Sequence, residues 1–373
     1  MNQYKIPFNN LYSQYKELQN EIDESIKTII KNSDFLTGKT TEEFENAICD
    51  YTGAEDCAAM SSGSDSLIAS LKALNIGPND QVLTVGHTFL STTESIMNVG
   101  AEPIFFDIDE FYLLDISQLD ISQFKKIDRL KAILFVDLYG QTPDIDRILS
   151  FAKKYNLKVI EDAAQSFGSE YKGKKVGSLV DLTCFSFNPL KNLSAMGDAG
   201  AVTGKKEYIE KIKQIRNHGR GKSNKIIEGY NSRIDNIQAI ILKQKLKKID
   251  NWIDKKRIVC QKYTKELNSV VNCPKETSWS KHTYYVYVIE VPNGTRDKLK
   301  NYLQERGIET KIHYVDSTHK LNYIKNKIEL PKTEYMSRNI LSLPCYYDIS
   351  NLCQQKVIDS IKEFYKNEKN ITS

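Results

Sequence analysis

Short apolar runs alternate with amphipathic segments between about residue 55 and residue 204. Between the apolar runs, segments such as PDIDRILSFAKKY place Ile145, Ile148 and Leu149 on one face of a helix. This alternation predicts an α/β fold, with a mostly parallel central sheet and helices on both of its faces. Ligands of such sheets bind outside the carboxyl ends of the strands. The predicted strands are Gln81–Val85, Pro103–Ile108, Leu130–Asp137, Leu157–Glu161, Leu182–Phe187 and Ala199–Thr203.

The two ends of the chain follow different patterns. Residues 11–32 are amphipathic and highly charged, which predicts an N-terminal helical arm. A long helix is expected to begin near Ile234, because apolar residues recur there with the helical period. After residue 250, an alternating strand (TYYVYVIEV) is followed by a helical pattern (RDKLKNYLQERG). We therefore expect a large domain over residues 1–250 and a smaller C-terminal α+β domain over residues 251–373.

Composition excludes several classes of protein. Hydrophobic residues make up 40% of the 373 residues and charged residues 27%, as in ordinary globular proteins and unlike disordered chains. A net charge of +4 is too small for generic nucleic-acid binding. The longest apolar runs are far shorter than the roughly 18 residues of a membrane helix, and the N-terminus lacks a secretory pattern. We expect a cytoplasmic protein without a nucleic-acid or membrane partner.

The cysteines and histidines do not predict a metal centre. The seven cysteines are widely spaced and include no CxxC pair, and the five histidines include no pair at helical ligand spacing. This usage is typical of reduced thiols in a cytosolic protein. We expect no protein-bound metal.

Three segments bring chemically active residues to the predicted strand ends, and each has more than one interpretation. Gly63, Ser64 and Asp65 begin a helix, where they could hold a phosphate or merely cap the helix. Asp162 follows a strand and could cap a helix, bind magnesium or pair with a protonated ring nitrogen. Lys191 follows the next strand, in a turn, and could be a desolvated nucleophile or an ordinary surface lysine.

Together these segments fit pyridoxal 5'-phosphate (PLP). The aldehyde of this cofactor needs an amine, its ring nitrogen needs a carboxylate, and its phosphate suits a helix N-terminus. Because Asp162 and Lys191 follow successive predicted strands, both can reach one crevice at the sheet edge. The combination favours the catalytic interpretation of each segment.

At these segments the chain resembles the DegT/DnrJ/StrS sugar aminotransferases, of the aspartate-aminotransferase fold type (PLP transferase type I). The resembling stretches run in order over nearly the whole chain. They include FLTGKTTEEFE, SSGSDSL, VGHTFLSTTESI, DLYGQTPDID, IEDAAQSFGSEYKGKKVG, FSFNPLKNLSAMGDAGAV, IRNHG, GYNSRIDNIQAIIL and the late IHY. IEDAAQSFG and FSFNPLKNL are together highly specific for the family.

The resemblance implies roles around the cofactor ring. Lys191 matches the Schiff-base lysine, which also moves the proton between the cofactor and substrate carbons. Asp162 matches the partner of the pyridinium nitrogen, and Gln165 matches a residue at the ring hydroxyl. Phe89 falls where the family stacks an aromatic side chain on the ring.

The resemblance also implies a phosphate site and a shared active site. Gly63, Ser64 and Asp65, together with Ser186, match the family's phosphate cup. Asn231, in GYNSRID, matches an asparagine that reaches the phosphate of the neighbouring subunit's cofactor. This match implies a homodimer.

Four further residues are substrate candidates. Arg233 is expected to contact the sugar substrate or glutamate, by resemblance. His218 lies in a polar loop, where it could clamp a pyrophosphate or simply be solvated. His313 and His319 flank YVDST and are expected to line the sugar pocket, by resemblance only.

The activity implied by the resemblance is a transamination. L-Glutamate would convert PLP to pyridoxamine 5'-phosphate (PMP), which would then aminate a keto sugar nucleotide for amino sugar and surface polysaccharide biosynthesis. GYNSRID resembles members that act on 3-keto hexoses linked to dTDP or UDP. The alternatives are a 4-keto substrate and a PLP- or PMP-dependent sugar dehydratase. Gly86 and Asp137 depart from the family, which often has Pro and His there.

Overall fold

The computed structural model describes residues 5–119, 127–221, 225–292, 294–325 and 327–372. The helices of this part of the chain are α1 (Leu11–Glu17), α2 (Gln19–Asn32), α3 (Lys39–Thr52), α4 (Gly63–Ala73), α5 (Leu90–Asn98), α6 (Ile145–Lys154), α7 (Lys206–Ile215), α8 (Asn236–Leu246), α9 (Ile249–Leu267), α10 (Arg296–Glu305), α11 (Pro331–Asn339) and α12 (Asn351–Thr372). Its strands are β1 (Asp56–Met60), β2 (Gln81–Val85), β3 (Glu102–Phe106), β4 (Leu130–Val136), β5 (Lys158–Asp162), β6 (Glu170–Tyr171), β7 (Lys174–Lys175), β8 (Leu182–Ser186), β9 (Gly200–Gly204), β10 (Ser280–Lys281), β11 (Tyr287–Glu290) and β12 (Ile340–Leu343).

A seven-stranded sheet forms the centre, in the order β1-β9-β8-β5-β4-β2-β3. Strands β3, β2, β4, β5 and β8 are parallel, whereas β9 runs antiparallel to both β8 and β1. Neighbouring residues of β1 point into different apolar cores: Cys57 and Ala59 into one, Ala58 and Met60 into the other. Helices α2, α3 and α8 supply the first core, and α4, α5 and α7 the second. The predicted α/β fold, with helices on both faces, is confirmed.

The structure differs from the prediction at β1 and after Ile234. Strand β1 was not predicted, because its sequence DCAAM contains small residues and gives a weak apolar signal. The single long helix expected from Ile234 is wrong, since α8 ends at Leu246 and α9 begins at Ile249. The break lets Trp252 and Ile253 join the core that also buries Leu242.

The C-terminal part of the chain has a core of its own. Strands β11 and β12 form an antiparallel pair, and α9, α10 and α12 pack with them around residues such as Tyr263, Tyr287 and Leu303. The boundary expected at residue 250 falls within α9, and the division into two domains stays a prediction. Across the described ranges, we find no helix with the length and apolarity needed to cross a lipid bilayer.

The parallel strands bring their carboxyl ends to one edge. In the register of the sheet, Val136 of β4 pairs with Asp162 of β5, and Asp162 pairs with Cys184 of β8. Asp137 and Ser186 therefore lie at the same edge as Asp162. This edge holds the residues that the sequence singled out.

Candidate active site

Asp162 is the last residue of β5, and its carboxylate is buried. Thr92 Oγ1 on α5 donates a hydrogen bond to Asp162 Oδ2 at 2.7 Å, and Ala164 N donates to Asp162 Oδ1 at 3.2 Å. Burial raises the pKa of Asp162, while these hydrogen bonds and the charge of Lys191 lower it. A buried anion in this position would be stabilised further by a cationic ligand.

Lys191 lies in a tight turn after β8. Lys191 N donates to Asn188 O at 2.8 Å, and the Asn188 side chain holds the turn by donating to Asp198 Oδ1 at 3.0 Å. Lys191 Nζ lies over the aromatic face of Tyr285, 4.6 Å from the centre of the ring. The structure therefore directs this amine inward, against an aromatic wall.

The charge of Lys191 affects the pKa values of two other candidate residues. It lowers the pKa of Asp162 on the large sheet and, after the larger effect of burial, that of His313 in the C-terminal part, which falls to about 4. Lys191 and Asp162 follow neighbouring strands at one edge of the sheet, and their common catalytic site stays a prediction.

The N-terminus of α4 contacts the end of β8. A Cβ added to Gly63 would lie 2.6 Å from Ser186 Cβ, so only glycine allows this approach. Ser62 caps the helix by accepting from Asp65 N at 3.1 Å, and Ser64 Oγ shares a hydrogen bond with Ser91 Oγ at 2.7 Å. The first N–H groups of a helix lack partners within it, so this end can hold an anion.

The carboxylate of Asp65 is hydrogen-bonded to neighbouring side chains of the same chain. Asp65 Oδ2 accepts hydrogen bonds from Ser61 Oγ at 2.5 Å and from Ser232 Oγ at 2.8 Å. Asp65 thereby fixes the loop before α4 to the segment that contains Asn231. Within the chain, the carboxylate of Asp65 organises the helix end, and its role in a phosphate cup stays a prediction.

Gln165 joins the turn after β5 to two tyrosines. Its Oε1 accepts from Tyr139 N at 2.9 Å, and its Nε2 donates to the hydroxyl of Tyr314 at 2.8 Å. Phe89, immediately before α5, is 50% exposed, and its ring centre lies 5.8 Å from that of Tyr314. Phe89 and Gln165 thus both contact Tyr314.

Asn231, Arg233 and His218 form a separate polar cluster. Arg233 Nε donates to Asn231 Oδ1 at 3.1 Å, and His218 N donates to Tyr230 O at 3.1 Å. Asn231 and His218 are exposed. Among the contacts of the described residues, none joins this cluster to Lys191 or Asp162 of the same chain.

The two late histidines lie in different surroundings. His313 Nδ1 shares a hydrogen bond with Ser342 Oγ at 2.8 Å, and its ring lies near those of Tyr285 and Tyr314. His313 therefore lies beside the tyrosine that contacts Lys191, and its role in a sugar pocket stays a prediction. His319 is fully buried behind Gly86 and contacts Glu334 at 3.3 Å, so the structure places it in a packed layer and not on the wall of the crevice.

Sequence reasoning missed several residues of the site. Thr92 was not singled out, although its side chain contacts Asp162 directly. Tyr285 and Tyr314 were also missed, because tyrosines in or near apolar strands carry no signal that separates them from core residues. The late IHY segment, which contains Tyr314, was the nearest available indication.

The arrangement combines an amine, a buried carboxylate and a helix N-terminus around one crevice. Comparisons with known proteins agree with it. Residues 16–362 match the sequence profile of the DegT/DnrJ/EryC1/StrS aminotransferase family. The chain belongs to this family.

The relatives cover almost the full chain. A pleiotropic regulatory protein of Geobacillus stearothermophilus is 36% identical, over 97% of this chain and 99% of the relative. A UDP-N-acetyl-3-dehydro-alpha-D-glucosamine 3-aminotransferase of Acidithiobacillus ferrooxidans is 33% identical, over 92% and 94%. The crystal structure of a DegT/DnrJ/EryC1/StrS aminotransferase from Brucella abortus is 32% identical and superposes with a TM-score of 0.93, covering 96% of this chain and 99% of that one.

Other relatives are also named as transaminases of sugar nucleotides, but they differ in the position of the amino group. They include transaminases named for 3-amino and for 4-amino sugar nucleotides. Solved relatives include one with bound PMP and one with a ketimine intermediate. As a member of the DegT/DnrJ/EryC1/StrS family, this chain is a sugar aminotransferase, and PLP is the cofactor of the family.

Proposed function

We propose that this chain transfers the amino group of L-glutamate to a keto sugar nucleotide, in a site that holds PLP through Lys191 and Asp162. The observation that carries the proposal is the convergence of a buried carboxylate and an inward-facing amine at one sheet edge. Two observations support it: Asp162 ends β5 while Lys191 follows the neighbouring β8, and the charge of Lys191 lowers the pKa of Asp162.

The residues present fit PLP. The buried carboxylate of Asp162 suits a protonated ring nitrogen, because a cation beside it offsets the cost of its burial. Gln165 can reach a ring hydroxyl, and Phe89 offers an exposed aromatic face. The close contact of Gly63 with Ser186 brings a helix N-terminus and a hydroxyl to where a phosphate would bind.

The protein would position the cofactor and transfer protons during the reaction. PLP, when bound, acts as an electron sink for the carbon that loses or gains the amino group. Lys191 would bind the aldehyde and, once released, carry the proton between cofactor and substrate carbons. Asp162 would keep the ring nitrogen protonated. Tyr285 would shield the amine from bulk water.

The exposed cluster around Asn231 supports a shared active site. Asn231 is exposed, and within the described part of the chain this cluster does not contact Lys191 or Asp162. We propose that Asn231 serves the cofactor phosphate of a second subunit in a homodimer. Arg233, tied to Asn231, and His218 would then face the neighbouring subunit's substrate.

Mixed dimers test this arrangement. Lys191→Ala and Asn231→Ala proteins should each have low activity. If sites are shared, unfolding and refolding the two variants together creates dimers with one intact site, and activity reappears. No recovery in proven mixed dimers would contradict the shared site.

For the sugar we propose a 3-keto hexose on UDP or dTDP, and surface polysaccharide or glycan precursors as the destination. A curated relative named as a 3-aminotransferase supports this choice. The 4-keto alternative is supported by a relative named for a 4-amino sugar. A dehydratase is disfavoured by Lys191, since the resembling dehydratases carry histidine there.

The proposed function is tested by following the amino nitrogen from glutamate to the sugar nucleotide. Nitrogen-15 glutamate and each keto sugar nucleotide are incubated with the PLP-loaded protein, and the products are identified by mass spectrometry and NMR. We expect a labelled amino sugar nucleotide and 2-oxoglutarate in equal amounts. Lys191→Ala should stop both, whereas Lys174→Ala, at an exposed lysine, should stop neither. A deoxysugar formed without 2-oxoglutarate would contradict the proposal.

A further inference from the structure

Two buried carboxyl groups face each other beside Asp162. Asp137 follows β4 directly, and Glu161 precedes Asp162 in β5; both side chains are fully buried. In the described structure, no donor reaches Asp137 Oδ1 or Glu161 Oε1. Glu161 pairs with Phe135, two residues before Asp137, so the side chains of Asp137 and Glu161 point to the same face of neighbouring strands, where they can hydrogen-bond to each other. Each of these orphan oxygens can therefore be satisfied by the other carboxyl group if one of them carries a proton.

The remaining oxygens are already hydrogen-bonded. Asp137 Oδ2 accepts from Ser166 Oγ at 2.7 Å, and Glu161 Oε2 accepts from Thr183 Oγ1 at 2.8 Å. Two ionised groups here would leave two buried acceptors unpaired and two like charges in contact, which is costly in a protein interior. One shared proton removes both problems.

The electrostatic surroundings point the same way. Burial, and then the charge of Glu161, raise the pKa of Asp137 well above its ordinary value, and burial also raises the pKa of Glu161. The other titratable neighbours are Asp162, which raises both pKa values, and the buried Cys184 thiol. In the described part of the chain, no cation is among the groups that act most strongly on either carboxyl group.

The pair is also tied to the turn that carries the proposed ring contacts. Asp137 N donates to Asp162 O at 3.1 Å, and Asp137 Oδ2 holds Ser166, whose own N–H donates to Ala163 O at 3.1 Å. Asp137 thus fixes both ends of the turn from Asp162 to Ser166, which includes Gln165.

We propose that Asp137 and Glu161 share one proton and, through it, position the turn that presents Asp162 and Gln165 to the cofactor. The positioning role rests on the proposed function, whereas the shared proton does not. Asp137 and Glu161 are positioning residues, since neither contacts the crevice in which the cofactor would lie.

The shared proton has a measurable effect on folding. The folded pair keeps a proton that unfolded carboxyl groups release above about pH 4, so the stability of the fold decreases as pH rises above that value. One such proton lowers the ratio of folded to unfolded protein about tenfold per pH unit. In Asp137→Asn, the amide can donate to Glu161 and accept from Ser166 without a titrating proton.

The first experiment uses the cofactor-free protein. Denaturant unfolding is measured between pH 5 and pH 8 for the wild type, Asp137→Asn and Asp316→Asn, a control at an exposed aspartate. We expect the wild type and the control to lose stability with rising pH relative to Asp137→Asn, by up to about tenfold per unit. Difference infrared spectra should show a protonated carboxyl band in the wild type that Asp137→Asn lacks. If stability changed equally with pH in the wild type and in Asp137→Asn, and the infrared band were the same in both, the proposal of a shared proton would be overturned.

The second experiment measures PLP binding by fluorescence. Asp137→Ala should weaken binding about tenfold, because Ser166 and Glu161 lose their partner. Asp137→Asn should restore binding to within about threefold of the wild type, which a loss of packing alone would not explain. If Asp137→Ala does not fold, Ser166→Ala replaces it and should weaken PLP binding while keeping the wild-type pH slope.

Two results would overturn the positioning role. One is Asp137→Asn binding PLP as weakly as Asp137→Ala, and the other is Ser166→Ala binding as tightly as the wild type. Failure of the wild type to bind PLP would instead contradict the proposed function and, with it, the positioning role. The unfolding and infrared data would still show whether Asp137 and Glu161 share a proton.

Discussion

Thr92 Oγ1 donates a hydrogen bond to Asp162 Oδ2 at 2.7 Å and thereby joins helix α5 to the carboxyl end of β5. The same hydroxyl shares a 2.8 Å hydrogen bond with Thr88 Oγ1, so a chain of hydroxyl groups supports the carboxylate from behind. Asp162 is therefore held in one orientation before any ligand binds. Orientation of a buried carboxylate by fixed donors is what a ring-nitrogen partner requires.

Replacing Thr92 with valine should weaken cofactor binding. Valine keeps the shape of the side chain but leaves Asp162 Oδ2 without its donor, at a cost of about 1–3 kcal/mol. We expect PLP affinity, measured by fluorescence titration, to fall about tenfold or more. Thr93→Val is the matched control, because Thr93 is equally buried and no partner for its hydroxyl is found in the described structure. Equal effects of the two substitutions would refute the role of Thr92.

Asp162→Asn should leave a folded protein that binds PLP but turns over slowly. The neutral amide cannot keep the ring nitrogen protonated, so the proton transfers at the substrate carbon should slow by at least about a hundredfold. Single-turnover absorbance changes after glutamate is added measure this step. Asp254→Asn, at an exposed aspartate, should be as fast as the wild type. A wild-type rate in Asp162→Asn would exclude the role assigned to this carboxylate.

Gly63→Ala should disturb the helix end and the fold together. The added Cβ would lie 2.6 Å from Ser186 Cβ, so backbone must move, at a cost of about 1–3 kcal/mol in unfolding free energy. PLP affinity should fall as well, because the phosphate would lose its place at the N-terminus of α4. At Gly77 the nearest atom to an added Cβ is 3.7 Å away, so Gly77→Ala serves as the control. A stable Gly63→Ala protein with normal affinity would contradict the close approach.

Acid should destabilise the fold through His87. This side chain is 1% exposed, and burial lowers its pKa from 6.5 to about 4. The unfolded chain therefore binds a proton that the folded chain does not between pH 6.5 and pH 4, and stability falls as pH falls through this window. From pH 6.5 to pH 5, His87 should contribute a loss of about 1.5 kcal/mol.

The measurement compares His87→Gln with His218→Gln, which changes an exposed histidine. Chemical unfolding at a series of pH values should show a shallower acid decline in His87→Gln than in the wild type. His218→Gln should follow the wild type. Identical acid slopes in all three proteins would show that His87 does not remain neutral when buried.

Much of the site could be predicted because its key residues follow strands with a strong apolar pattern. Parallel pairing of β5 with β8 brings the segments after them to one edge, so Asp162 and Lys191 could be placed together from their order alone. Gly63 and Ser64 were found because a helix start has a recognisable local sequence. These features are local or depend on simple strand pairing.

The remainder depends on packing between distant segments. Tyr285 reaches Lys191 only because the C-terminal part packs against the large sheet, and its place in TYYVYVIEV predicts no more than a strand. Residue type suggested a pocket role for His319, but the absence of a side chain at Gly86 lets this ring be buried there. The contact between Asp137 and Glu161 also depends on packing and could not be predicted. In the sequence, both residues look like ordinary acids at the ends of strands.

Chemical trapping of the cofactor tests the central claim most directly. The PLP-loaded protein is reduced with borohydride, digested, and analysed by mass spectrometry to find the modified lysine. The account predicts the label on Lys191 alone. Burial lowers the pKa of Lys245, to about 8, and that of Lys256, so both are competing amines. A label on Lys245 or Lys256, with Lys191 unmodified, would contradict the account.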